Sequence, residues 1–269
     1  MLIRIGYDIA FEVSSPTPML LMLSVHPSRF PSLQGPEQLS IEPFVPTTPY
    51  IDVFGNACGR IVARTGIVRF RNDAVVYDDG QLDAFDPTAR QHLIDELPAE
   101  ALQFLLPSRY CEVDRLMGTA WSLFGSSDLG CARVSAICQW VHDNVTFGYQ
   151  FASPMRSAAD VYRERQGVCR DFTHLAIAFC RCMNIPARYA TGYLGEIGVP
   201  PAPPGDFSAW FEVYLRGRWW TRDARHNARR IGRVLMALGR DAADVALTTA
   251  FGAANLKEFT VWTDEVTLS

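Results

Sequence analysis

The chain has 269 residues, 48% of them hydrophobic and 20% charged, and a net charge of −4. That balance sets aside a disordered chain and leaves room for one large or two modest domains. The charge gives no global pull toward nucleic acid or an anionic membrane, so neither is expected as a partner.

Residues 1 to about 80 carry strand-type alternation broken by prolines, which predicts short strands and turns. "MLLMLSV", Met19 to Val25, is too short to span a bilayer and is expected to be a buried strand. No basic segment precedes it and no small-residue cleavage site follows, so a reducing, cytoplasmic setting is expected. Gly55-Asn56 between apolar stretches predicts a hairpin, and Asn72-Asp73 predicts another bend. An all-β N-terminal domain over 1–105 is expected, then a second domain over 106–269 with a C-terminal extension.

Helical spacing begins with "EVDRLMGTAWSLFG" and continues in "CARVSAICQWVHDNVTF", where Val134, Ile137, Cys138, Val141 and Val145 form one stripe. "SAADVYRERQG" has Ser157 and Gly167 at its expected limits. In the next helix Phe172, Leu175, Ala176, Phe179 and Met183 line a buried face, and Pro186 lies beyond its end. "ARYATGYL" is a strand pattern, and "GEIGVPPAPPGDF" is a proline-rich loop, either a shaper of substrate access or a stiff connector. "EFTVWTDEV" is the most strand-like part of the tail.

The seven cysteines are irregularly spaced, and most are expected to be free core thiols. Cys180 and Cys182 do not share a helix face, and no second pair stands at zinc-ligand spacing, so no metal is expected. Cys169 differs from the rest. It follows Gly167 at a helix entrance, among unpaired N–H groups and beside Arg170, a setting that favours thiolate. The same amides could hold the oxyanion of a tetrahedral intermediate. The plain alternative is a small residue packed where the helix begins.

"SAWFEVYLRGRWWTRDAR" is expected to form a hairpin turning at Arg216-Gly217, with Leu215 opposite Arg218. That register places Trp210 opposite Asp223 and Ser208 opposite Arg225, so Ser208 and Asp223 become diagonal neighbours.

"GVCRDFTHLAIAFCRCMNIPARYATGY" and "AWFEVYLRGRWWTRDARHN" together resemble the transglutaminase-like superfamily of papain-like cysteine enzymes, whose bacterial branch is described as cysteine proteases. The resemblance covers residues 110–227. It implies an α+β papain/transglutaminase-like core, a helix-borne Cys against an antiparallel sheet, preceded by an all-β domain. It also implies a Cys-His-Asp triad acting on amide bonds of a peptide or protein without a cofactor. Carried over, Cys169 is the nucleophile and Asp223 the orienting acid. The position of the family histidine holds Ser208. A hydroxyl cannot become a stable cation by taking the thiol proton, so it cannot take over the imidazole's role directly.

Three explanations follow. Another histidine serves, the cleft binds without catalysis, or the sequence carries an inactivating substitution. His226, three residues after Asp223, is the better alternative base, with a solvated loop histidine as the plain reading. His174 lies off the Cys169 face of the helix, where a surface or packing role is expected. His26, His92 and His142 lie outside the matched motifs. Trp210, Trp219 and Trp220 are expected either to line a substrate groove, Trp210 first, or to pack. Arg225, Arg229, Arg230, Arg233 and Arg240 are expected on a solvated face paired with Asp241 and Asp244.

Overall fold

The computed structural model describes residues 1–37, 39–200 and 205–266. In the first half, β1 (Leu2–Val13), β2 (Thr17–Leu21), β3 (Ser40–Glu42), β4 (Thr48–Ile51), β5 (Ala57–Ala63) and β6 (Gly66–Tyr77) follow in order. Alternation in β1 turns Ile3, Ile5, Tyr7 and Ile9 inward, where they meet Met19, Ile61, Val68 and Phe70 in one apolar core. Fully burying each such side chain is worth about 1.5–3 kcal/mol. The Asn72-Asp73 bend does not form. β6 runs through it, with Asn72 opposite Tyr7 and Asp73 opposite Gly6. The Asn72 side chain is buried and donates to Glu37 at 2.7 Å. Strand pairing and that buried bond override the local turn preference.

Gly55 does turn the chain between β4 and β5, with φ of +85°. Asp52 Oδ1 accepts from the Phe54 and Asn56 N–H groups at 2.8 and 2.9 Å and shapes the loop.

The helical part comprises α1 (Ala99–Leu102), α2 (Val113–Phe124), α3 (Cys131–Asn144), α4 (Ala158–Glu164) and α5 (Cys169–Cys182). Two short strands, β7 (Thr146–Phe147) and β8 (Gln166–Gly167), pair in parallel just before α5. Ser157 caps α4 as its sequence suggests, but the helix ends at Arg165 in a left-handed conformation, φ 57°, before Gly167 is reached. Helix α5 is buried from Asp171 to Cys182, with α2, α3 and α4 packed around it. Its other face meets β9 (Ala187–Leu194) and β10 (Phe207–Leu215).

Strands β11 (Arg218–Arg222) and β12 (Arg233–Gly239) complete that sheet, in the order β11-β10-β9-β12 and antiparallel throughout. The remaining strands, β13 (Thr248–Ala250) and β14 (Ala254–Glu265), return to the first half, where β13 pairs with β2 and β14 with β1. The sheet orders there are β14-β1-β6-β3 and β13-β2-β5-β4. The core sheet joins the N-terminal one physically. Tyr193, Phe207, Val234 and Met236 belong to the same apolar cluster as β1 and β6. Asn56 bonds both backbone groups of Leu238, at 2.7 and 2.8 Å.

The 216–217 turn is the expected two-residue one. Arg216 and Gly217 both have positive φ, 47° and 75°, and Leu215 lies opposite Arg218. The ladder continues to Phe211 opposite Arg222, where β11 ends, so Asp223 begins the loop that follows. Among the described residues no helix is long and apolar enough to cross a membrane.

Candidate active site

The entrance of α5 is built by short-range hydrogen bonding. Asp171 Oδ2 reaches back to the Val168 N–H at 2.9 Å, and Val168 O accepts from the Asp171 and Phe172 N–H groups. Gly167 is required by the close approach: a Cβ there would lie 2.5 Å from Asp171 Cβ. Among the described residues the Cys169 and Arg170 N–H groups have no acceptor, so both are available to an incoming oxyanion.

Cys169 is partly buried against the core. The expected depression of its thiol pKa is not found. Burial, then the Asp206 carboxylate, push it up to about 11, against the pull of Arg225 and of the Ala209 N–H. Arg170 does not serve as the counter-charge. Its guanidinium is committed to Ser153 O and to Asp171, and it also faces the Tyr110 ring. Cys169 therefore rests as a thiol at neutral pH.

Ser208 is 7% exposed, in β10 opposite Gly192 of β9. Among the described residues its Oγ, which is itself sealed from solvent, has no hydrogen-bond partner. Two cavities meet at this residue. One, about 490 Å³, is bounded by Cys169, Tyr110, Tyr189, Asp206, Ser208 and Ala209. The other, about 500 Å³, is bounded by Tyr149, Asp206, Ser208, Arg225, His226 and Trp262. Cys169 and Ser208 thus open onto the same space, while His226 borders the adjoining one. Among the described residues no hydrogen bond joins the Cys169 sulfur to a histidine.

Asp223 is buried and fully occupied. Oδ1 accepts from the Arg225 and His226 N–H groups, both at 3.0 Å. Oδ2 accepts from Arg233 Nη2 at 2.9 Å and lies 2.9 Å from His226 Nδ1. Burial alone would raise this carboxyl, but His226 and Arg233 hold it well below the usual carboxylate range. Arg233 is in turn fixed by Asp83, whose two carboxylate oxygens lie 3.1 and 3.0 Å from its Nε.

The arginine stretch is only in part the expected solvated face: Arg229 and Arg240 are exposed. Arg230 is buried and paired with Glu196, and the Arg233 side chain is enclosed between Asp83 and Asp223. Of the expected partners, Asp244 pairs with Arg240, whereas Asp241 accepts from the Tyr110 and Ala243 N–H groups.

The other histidines have packing or structural roles. His174 is 0% exposed and stacks on Tyr110 at 5.0 Å, with Nε2 accepting from the Ala242 N–H. Burial lowers its pKa well below the ordinary value. His142 Nδ1 lies 2.8 Å from Arg225 O, His92 Nε2 accepts from the Gly217 N–H, and His26 Nδ1 meets Ser28. Trp210 is 2% exposed, packs with Ala190 and Leu238 beneath the Arg233 guanidinium, and borders neither cavity. Trp220 donates to Leu215 O, and Trp219 meets Phe104 edge-on. In the proline-rich loop, Gly195 and Gly205 lie against the carbonyls of Thr263 and Val261, where a Cβ would come within 2.5 and 2.3 Å. Residues 201–204 of that loop lie outside the described residues.

Asp206 and Asp83 have no place among the sequence expectations, and Arg233 is expected only among solvated arginines. Asp206 stands two residues before Ser208, where an acid is visible beside the site, whereas Asp83 carries no local signal.

Residues 123–224 match the family described as the transglutaminase-like superfamily, a span that holds Cys169, Ser208 and Asp223 and stops before His226. A solved Cytophaga hutchinsonii structure, provisionally described as a cysteine protease, is 32% identical. It superposes with a TM-score of 0.86, over 100% of this chain and 92% of that one. The periplasmic domain of TgpA from Pseudomonas aeruginosa is 15% identical, with a TM-score of 0.41 over 83% of this chain and 90% of that one. An uncharacterized Mycobacterium leprae protein is 25% identical over 175 residues. That match spans 62% of this chain and 62% of that protein's length.

Proposed function

This chain belongs to the transglutaminase-like superfamily, and from that premise we propose that it is a thiol-dependent acyl enzyme of the cysteine-protease type, acting on amide bonds of a peptide or protein. The observation that carries this reading is the opening of Cys169, first residue of α5, onto the cavity that Ser208 also borders. The thiolate attacks the carbonyl carbon, and the free Cys169 and Arg170 N–H groups receive the oxyanion. Hydrolysis is favoured over transfer to an amine because water needs no second specific site.

Ser208 is the weak point of the machinery. Among the described residues no imidazole is hydrogen-bonded to the sulfur, so turnover by the unmodified chain is slow. His226 is the chain's own alternative base. Asp223 fixes its Nδ1 side, as the acid of a triad does, and leaves Nε2 to take a proton. It borders the neighbouring cavity, so its access to the thiol runs past Ser208.

A second reading is a catalytically silent cleft that binds peptide or protein. The raised thiol pKa and the orphaned Ser208 hydroxyl favour it. Hydrolysis of fluorogenic peptide amides by the full chain separates the two. Activity that disappears in Cys169→Ala supports the enzyme, and its further loss in His226→Ala assigns the base. Peptide binding without turnover, unchanged in Cys169→Ala, supports the silent cleft.

A further inference from the structure

The two cavities that meet along residues 206–208 differ in chemistry. The one that holds Cys169 is walled in large part by apolar and aromatic groups, among them Tyr189, Ala242, Ala243, Ala246 and Leu247. The adjoining one, about 500 Å³, is charged. Four carboxylates line it, Glu196, Asp206, Asp264 and Glu265, against the guanidinium of Arg225 and the imidazole of His226.

Asp206 is the ionisable residue common to both cavities. The other acids are less suited to read a ligand. Glu196 already has a cation, Arg230 Nη2 at 3.0 Å. Asp264 and Glu265 are exposed, where solvent and salt screen them. Asp206 is partly buried, and among the described residues it forms no salt bridge. The Arg225 guanidinium is stacked on the Phe147 ring, 3.8 Å from its centroid. The residues outside the described ones are Gln38, Pro201, Ala202, Pro203, Pro204, Thr267, Leu268 and Ser269, and none of these side chains is cationic.

A partly buried carboxylate that faces a cavity without its own cation is matched by a cation arriving with the ligand. An acidic side chain is repelled there, and an apolar one leaves the carboxylate desolvated and unpaired. Tyr149 decides between kinds of cation. Its ring lines the same cavity and is 43% exposed, so it is open to a ligand. A flat guanidinium can lie on that ring while donating to a carboxylate, whereas an ammonium is a compact point charge.

We propose that Asp206 selects peptides in which an arginine stands beside a small apolar residue, the guanidinium entering the charged cavity between the Asp206 carboxylate and the Tyr149 ring and the apolar neighbour lying in the Cys169 half. The proposal rests on the reading of this cleft as a peptide site, and it adds which peptides the site takes. Asp206 acts on the bound side chain and takes no part in proton transfer at the scissile amide.

The test is equilibrium binding to the full chain of three peptides, acetyl-Ala-X-Ala-amide with X arginine, citrulline or glutamate, by calorimetry at low ionic strength. Citrulline keeps the shape of arginine and removes its charge. The arginine peptide should bind about tenfold or more tightly than the citrulline peptide, the reach of one charge-assisted contact. The glutamate peptide should bind most weakly. Asp206→Asn should bring arginine and citrulline to within about threefold, whereas Glu196→Gln should leave the preference in place. Tyr149→Leu changes an exposed ring and leaves Asp206 intact, so it serves as an independent check. It should weaken arginine binding about threefold or more and citrulline binding less. Equal binding of arginine and citrulline, a preference that survives Asp206→Asn, or no binding of any of the three overturns the proposal. Acylation of Cys169 in Ser208→His by 4-nitrophenyl acetate, which carries no cation, is read separately. If the sulfur acylates while peptides bind without regard to charge, the Asp206 assignment fails and the thiol-enzyme reading stands. If arginine is preferred through Asp206 and the sulfur never acylates, the assignment stands and the thiol-enzyme reading fails.

Discussion

His226 Nδ1 lies 2.9 Å from Asp223 Oδ2, the same oxygen that accepts from Arg233 Nη2. The carboxylate at the base of the site is therefore held by its own neighbours, with no imidazole present at position 208. Asp83 grips the other side of Arg233, so the Arg233 guanidinium is enclosed between two carboxylates, and His226 meets the farther one. An enclosed cation of this kind is tolerable because those carboxylates are there.

Removing Arg233 should be severe. Arg233→Met leaves the buried Asp223 and the half-buried Asp83 without their cation, and breaking a buried pair costs about 3–5 kcal/mol. The denaturant midpoint should fall accordingly. An unchanged midpoint would show that Asp83 and Asp223 are solvated or protonated in the folded chain.

The same network fixes the direction of the acid response. Asp223 is held below the usual carboxylate range in the folded chain, so it binds fewer protons there than in the unfolded chain. Its contribution is fully present above the unfolded carboxylate pKa. It is lost as pH falls from there through the lowered folded value. Asp223→Asn should remove this part of the acid dependence, so that its stability curve is flatter than the unmodified one below about pH 4. Parallel curves for the two proteins would contradict the assignment.

Cys169 should behave as a reluctant nucleophile. With its thiol pushed up to about 11, alkylation by iodoacetamide should rise with pH past the ordinary thiol range, and be slower at pH 7 than for a free cysteine. Asp206→Asn should shift the profile to lower pH, and Arg225→Ala to higher. A half-maximal rate below pH 8 would mean that the helix entrance outweighs burial.

Gly217 tests the hairpin that carries both Ser208 and Asp223. Its φ of +75° is left-handed, and nothing lies within 4 Å of where a Cβ would be. Gly217→Ala therefore meets no clash and pays only for backbone conformation, about 1–2 kcal/mol. A loss within that range, without change in Cys169 reactivity, is expected from thermal unfolding and alkylation together.

Much of this arrangement was legible in the sequence where short-range rules apply. The apolar face of α5 follows from helical spacing, and the hairpin register from a two-residue Arg216-Gly217 turn that admits one pairing. What escaped depends on long-range contact. Nothing near Asp83 announces a partner 150 residues away in Arg233. The strand β14 gives no local sign that it pairs with β1. Asn72-Asp73 has turn chemistry, yet a buried bond to Glu37 keeps β6 straight. The thiol shows the same division. Sequence reveals the helix entrance beside Cys169, while its burial and the facing Asp206 arise only when β10 folds across it.

The most direct measurement is intact-mass trapping of an acyl intermediate on Ser208→His with 4-nitrophenyl acetate. Restoring an imidazole where the hydroxyl now sits should raise acylation by about 10²–10⁴-fold, the usual reach of general-base catalysis. One acetyl group should appear, mapped to Cys169, and vanish in the Cys169→Ala double variant. A protein that stays unmodified, or one acetylated elsewhere and indifferent to loss of that sulfur, would contradict the account.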